Sequence, residues 1–121
     1  MNLNSPHLEY VELMLEKTLG NRILAKILFE KLFITLPSQL EDLSETLDKQ
    51  NFANAKRVIH DIQGVVGNCG LVNLEYYAQR IDNYLSVEDL ESAQQNFRIL
   101  QEQTRCFIEC GEEILATLEM P

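Results

Sequence analysis

The 121-residue chain is predicted to be all-α: an antiparallel four-helix bundle with a short additional N-terminal helix. Three observations carry this reading. Apolar residues recur at spacings of three and four through almost the whole sequence, the period of a helix with one buried face. No alternating β-branched run bounded by turn residues is present, so strand signals are missing. The glycine, proline and asparagine punctuation falls between the periodic segments and leaves short connections, which make consecutive helices antiparallel neighbours. One domain spanning residues 1–121 is expected, because domains most often hold about 100–150 residues. The 45% apolar content is enough for a core.

Each element has its own justification. Ser5-Pro6 supplies a cap and a first-turn proline for a helix over Pro6–Thr18, which Gly20 stops. From Asn21 the stripe Leu24, Ala25, Leu28, Leu32, Leu36, Leu40, Leu43 and Leu47 predicts helix to Asp48. Pro37 lies inside it, so either one kinked helix or two helices with a tight junction is expected. Asn51 is a good N-cap for a third helix reaching Asn68, with Gly70 as its stop. A fourth helix carries Leu71, Leu74, Ala78, Ile81 and Leu85. Ser86 and Asp89 read as a capping box with Asp in place of Glu. They open one long last helix with the seam Leu90, Ala93, Phe97, Leu100, Thr104, Phe107, Gly111, Ile114 and Leu118.

The third helix holds the functional signal. With His60 set at 0° and 100° per residue, Ala55, Val58, Ile59, Ile62, Val65, Val66 and Cys69 fall between about 140° and 260°. His60 lies nearly opposite that apolar stripe and is expected to face water or a partner. Lys56 and Arg57 share its face one turn earlier, and Gln63, Gly64 and Gly67 follow it. A glycine inside a helix costs about 1 kcal/mol relative to alanine. Two on one exposed face suggest side chains removed so that another protein can approach His60 closely, making Gly64 and Gly67 a candidate docking surface. A weak or early-ending helix is the plainer explanation of the same pair.

The stretch His60-Asp61-Ile62-Gln63-Gly64-Val65-Val66-Gly67-Asn68-Cys69-Gly70 resembles the motif of histidine phosphotransfer (HPt) domains. That motif has a His, an aliphatic residue two on, usually a Lys three on, a Gly four on and another Gly ten on. His60, Ile62, Gly64 and Gly70 stand in register, and Gly67-Asn68 also looks like members of the family. Leu74, Ala78 and Ile81-Asp82 are similar to the family's Leu, small residue and Leu-Glu in the following helix. The resemblance covers about residues 8–118.

It implies a phosphoryl carrier rather than an enzyme. His60 would be the phosphoryl acceptor, taking the group from an aspartyl phosphate on one receiver domain and giving it to another. A neutral imidazole is a competent nucleophile near neutral pH. In-line transfer depends on positioning and on neutralising the equatorial oxygens. By this analogy the partners are receiver domains of response regulators and hybrid histidine kinases. They would supply the aspartate, a lysine and Mg²⁺, and this chain would need no cofactor of its own. Gln63 departs from the family's usual Lys. A neutral amide in place of a cation loses on the order of 1 kcal/mol, or about fivefold in an equilibrium. Lys56 and Arg57 are the nearby cations that would join Gln63 in supporting the phosphate. A second reading keeps the fold and drops the chemistry, leaving a module that docks or sequesters receivers or kinases through the His60 face. A helical adaptor unrelated to phosphorelay is a third.

Composition excludes other classes. The net charge of −9 argues against nucleic-acid binding and against docking on anionic lipid. It is uneven: Lys49, Lys56, Arg57 and Asp61 give residues 49–74 a sum of +2, so the remainder carries −11. The longest uncharged stretch, Ile62–Leu74, has 13 residues, whereas a membrane-spanning helix needs about 20. The first residues lack the basic flank and apolar run of a signal peptide. No GxxxxGK[ST] or GxGxxG is present, so no nucleotide site is expected. Three cysteines without a CxxC pair suggest reduced thiols and a cytoplasmic protein. Met1 and the lack of a trailing linker favour a stand-alone chain, and a monomer is expected.

No metal site is expected either. A di-iron bundle needs Glu-x-x-His pairs, and Arg57 and Asn4 stand where those glutamates would be. Cys106 and Cys110, one turn apart, would be half a zinc site without a second pair, and are expected to be buried thiols, as is Cys69. His7 is expected at the surface. Tyr76, Tyr77 and Tyr84 suit a core or a partner contact equally.

Overall fold

A computed structural model describes residues 6–120, and the Ser5 cap lies outside them. Among the described residues six helices follow one another: α1 (Pro6–Lys17), α2 (Arg22–Asp48), α3 (Phe52–Asn68), α4 (Val72–Ser86), α5 (Leu90–Glu109) and α6 (Gly111–Glu119). Helices α2, α3, α4 and α5 pack in sequence, α5 closes back on α2, and α1 lies against α6 and α2. The helical class and the bundle are as expected. The proline question resolves to one helix, because α2 runs unbroken through Pro37.

Side chains start three of the helices. Asn21 Oδ1 accepts the Leu24 N–H at 3.0 Å, Asn51 Oδ1 that of Asn54 at 3.2 Å, and Asp89 Oδ1 that of Ser92 at 3.1 Å. The last corrects the expected cap. Ser86 is the final residue of α4, and its hydroxyl donates back to the Asp82 carbonyl. Glu88 adopts a left-handed φ of 54°, which turns the chain so that Asp89 begins α5. The hydrogen bonds from Ser92 hold the Asp89 carboxyl below its usual range.

One device makes four of the turns. The N–H of Gly20 bonds to Leu15 O (2.8 Å), Asn51 to Thr46 O (2.9 Å), Leu71 to Val66 O (3.0 Å) and Asp89 to Tyr84 O (2.9 Å). In each, the residue before the donor is left-handed: Leu19, Gln50, Gly70 and Glu88. This is the Schellman closure, which satisfies a terminal carbonyl of the preceding helix. Only one of those four residues is a glycine. An L-residue is disfavoured in this conformation by about 1–2 kcal/mol, part of which glycine returns through the unfolded chain's entropy. Exposed Gln50 is therefore a site for gain: Gln50→Gly should stabilise the protein by about 0.5 kcal/mol. Urea unfolding should show a higher midpoint at unchanged slope, and a lower midpoint would contradict this account.

The long last helix expected from the seam is two helices. α5 ends at Glu109, Cys110 closes it with its N–H on the Cys106 and Phe107 carbonyls, and α6 restarts at Gly111. Gly111 is buried, and a Cβ there would stand 3.4 Å from the Phe33 ring. The register of buried residues continues across the break through Phe107, Gly111, Ile114 and Leu118, so periodicity alone does not reveal it.

The core runs the length of the bundle, with Phe29, Leu36 and Leu43 of α2, Ile59 and Ile62 of α3, Ile81 of α4 and Leu100 of α5 almost wholly buried. At one end the Phe107 ring meets Tyr10 edge-on at 5.0 Å and Phe33 at 5.2 Å, tying α1 and α2 to α5. Arg22 donates to the carbonyls of Thr117, Leu118 and Met120, placing a cation on the C-terminal end of α6. Between α4 and α5, Arg80 Nε donates to the buried Asn96 Oδ1 at 3.0 Å. Its guanidinium lies over the rings of Tyr76 and Tyr84. Tyr76 is exposed while Tyr77 and Tyr84 are half-buried, so this α4 cluster braces two helices and still shows one ring to solvent.

Candidate functional site

Helix α3 turns its apolar stripe inward as the phase argument requires. Ala55, Ile59, Ile62, Val66 and Cys69 are buried, while Val58 and Val65 are partly so. His60 is thereby carried to the outer face, with its side chain 55% exposed. Gly64 is open, since a Cβ there would meet nothing within 4 Å. Gly67 differs: a Cβ there would touch the Glu75 carboxylate at 3.5 Å, so an acidic side chain from α4 lies over this part of the face.

The imidazole has a partner that sequence spacing did not indicate. Asp82, one helix away on α4, places Oδ1 3.0 Å from His60 Nε2. An ionised carboxylate only accepts, so the contact is a hydrogen bond when Nε2 carries the proton. The same Oδ1 lies 3.2 Å from Lys56 Nζ. Lys56 also donates to Ser86 Oγ, so its ammonium is drawn across to α4 and away from the outer face. The Asp82 side chain is only 15% exposed, which strengthens both interactions relative to bulk water.

The other expected supports diverge. Gln63 Nε2 donates to Gln79 Oε1 at 2.9 Å, and Gln79 Nε2 donates to Asn83 Oδ1 at 3.0 Å. This amide ladder runs along the α3–α4 groove, so the Gln63 donor is engaged with α4 rather than aimed at the ring. Arg57 donates to Asn54 on its own helix and lines the opposite groove, between α2 and α3, with Asp42, Glu45 and Asp61. The small basic spot expected beside His60 is therefore more nearly balanced: Lys56 is matched by Asp82, and Arg57 lies near Asp61. The Ile81-Asp82 dipeptide was part of the family-like pattern, and that was the available sign of Asp82.

The remaining sulfur and imidazole groups lie elsewhere. Cys69 is buried, and burial pushes its thiol upward. Cys106 is exposed, contrary to its expected burial, because it lies on the outer side of α5 against Glu102. Cys110 is half-buried, with its thiol raised by desolvation and then by Glu113. His7 is not a free surface residue; its side chain is 19% exposed and Nδ1 lies 3.0 Å from Glu113 Oε2. Among the described residues no group of three or more His, Cys, Asp or Glu side chains is disposed to hold a metal ion. Among them, too, no helix is long and apolar enough to cross a membrane.

A helical bundle that holds one imidazole out on a helix face, beside an open glycine, has the build of a phosphoryl carrier. Residues 27–119 match the family model of the Hpt domain, and the chain belongs to that family. Hpt domains are phosphoryl carriers rather than catalytic enzymes, serve histidine phosphotransfer in phosphorelays, and interact with receiver domains. Comparison with curated proteins and with solved structures found no match. The family match begins within α2, so α1 lies outside it.

Proposed function

We propose that this chain relays a phosphoryl group between receiver-domain aspartates through His60, acting as a single-domain monomer in the cytoplasm. The observation that carries the reading is the exposed His60 imidazole within the Hpt motif, beside Gly64, where nothing stands within 4 Å of a Cβ position. An acyl phosphate on a receiver can then be brought in line with the ring without displacing a side chain at Gly64. The receivers of response regulators and hybrid kinases are the partners this chemistry needs, and Mg²⁺ belongs to their side of the complex. The test is incubation with receiver domains charged by a small acyl phosphate. Acid-labile, alkali-stable phosphate on this chain is the expected result. Stoichiometric receiver binding with no phosphohistidine under any donor would instead establish the docking reading, which the engaged Gln63 amide favours.

Charge at the phosphoryl oxygens is the weak point of the face, and Lys56 is the cation best placed to supply it, provided its ammonium leaves Ser86. Gln63→Lys adds a second cation where the amide now donates to Gln79. We expect it to raise the phosphorylated fraction at equilibrium about fivefold, the difference between a charge-assisted and a neutral hydrogen bond. Quantitative phosphohistidine gels against one receiver measure this. An unchanged or lower fraction would mean that Lys56 or the receiver already supplies the charge.

A further inference from the structure

We propose that Glu75 is a specificity-determining residue of the His60 face, selecting receivers that set a lysine or arginine against its carboxylate; the proposal rests on the phosphotransfer reading above. Gly67 places the charge. A Cβ there would stand 3.5 Å from both Cδ and Oε2 of Glu75, so the carboxylate rests on the bare backbone of α3, and a longer side chain would displace it. Gly67 follows His60 by seven residues, about two turns and 10 Å along the same face of the helix. Asp82, seven residues beyond Glu75, is level with the ring, so the offset along α4 is also about 10 Å. A small domain is about 30 Å across, so a receiver seated on His60 also covers Glu75.

The charge is unmatched within the chain. Lys56 has Asp82 at 3.2 Å, and Gln63, Gln79 and Asn83 bond to one another as neutral amides. Among the described residues Glu75 has no ion-pair partner. Val72 and Tyr76, before and after it on α4, are 55% and 56% exposed. A receiver resting on those two side chains excludes water from the carboxylate between them. A carboxylate desolvated without a partner is costly, and a cation opposite offsets that cost. The face therefore rejects receivers that offer no cation as well as favouring those that do. Glu75 acts on docking alone, because the ring lies about one screening length away at physiological salt. A receiver cation in contact feels the charge fully.

The test measures phosphoryl transfer from a panel of receiver domains, each charged with acetyl phosphate, to wild type, Glu75→Gln and Glu75→Lys. For the receiver that serves wild type best at low concentration, Glu75→Gln should raise the half-saturating receiver concentration about two- to fivefold, the worth of one ion pair at a rim. Glu75→Lys should raise it about tenfold, since attraction is replaced by repulsion. The maximal rate should be unchanged in both. Added salt should weaken wild type more steeply than Glu75→Gln. Reversing that receiver's lysines and arginines to glutamate one at a time should find one that weakens wild type and restores Glu75→Lys, a rescue that a merely structural role would not give. Equal half-saturating concentrations for wild type and Glu75→Gln, a loss confined to the maximal rate, or no rescuing reversal would each overturn the proposal. If no receiver gives up its phosphate, the phosphotransfer reading fails, and the same comparison by fluorescence anisotropy of labelled, uncharged receivers still decides the role of Glu75. If no receiver binds at all, both fall.

Discussion

Replacing His60 with glutamine should abolish acid-labile phosphorylation completely while leaving the fold intact. The glutamine amide nitrogen is not nucleophilic, since its lone pair is delocalised into the carbonyl, so no residual transfer is expected at this position. The one other histidine, His7, is half-buried and paired with Glu113, and is a poor substitute acceptor. Stability should change little, by about 0.5 kcal/mol or less, because the lost side chain is more than half exposed. Asp82, left without the ring, keeps Lys56 at 3.2 Å, so no buried charge is stranded. Phosphohistidine detection after incubation with a charged receiver, beside circular dichroism of both proteins, separates loss of chemistry from loss of structure. Equal labelling of wild type and His60→Gln would remove His60 from the mechanism, whatever the family.

Why His60 was readable and Asp82 was not is a matter of what periodicity measures. The phase of a residue on its own helix decides whether it is inside or outside, and α3 has one clean stripe, so the outward position of His60 followed from counting. Which residue of another helix stands opposite depends on the crossing geometry, which no local period contains. Asp82 is 22 positions away and meets the ring only because α3 and α4 pack as a hairpin. The same limit explains Lys56 and Gln63. Their phase on α3 gives no sign that their donors are taken up by Asp82, Ser86 and Gln79 of α4.

Errors in the elements have equally local causes. Both Ser86 and Asp89 are good caps, and the choice fell to the left-handed Glu88, a residue type with no turn signature. The break at Cys110 preserves the seam on either side, so the pattern of buried residues is blind to it. Exposed Cys106 was misread because small apolar residues on bundle helices are more often inside, whereas its neighbour Phe107 takes the core position.

Gly70→Ala should be the most destabilising single-methyl change in the motif, by about 2–5 kcal/mol. Two separate costs add. Gly70 has φ +73°, where an L-residue is disfavoured by about 1–2 kcal/mol. A Cβ would also lie 2.9 Å from the Leu13 carbonyl oxygen and 3.1 Å from its carbon, so the backbone of α1 would have to move. Forcing extra volume into a packed site typically costs a further 1–3 kcal/mol or so. The thermal midpoint should fall by about 10 °C or more. Gly64→Ala is the internal control with the opposite sign: its Cβ meets nothing, and the gain in helix propensity should stabilise by about 1 kcal/mol. If both alanines had the same effect, the motif glycines would be serving one purpose. Opposite signs would show that they serve two. Gly64 leaves open space beside His60, and Gly70, in the turn that follows the helix, lets α1 close over the α3–α4 turn and fix the hairpin that brings Asp82 to the ring.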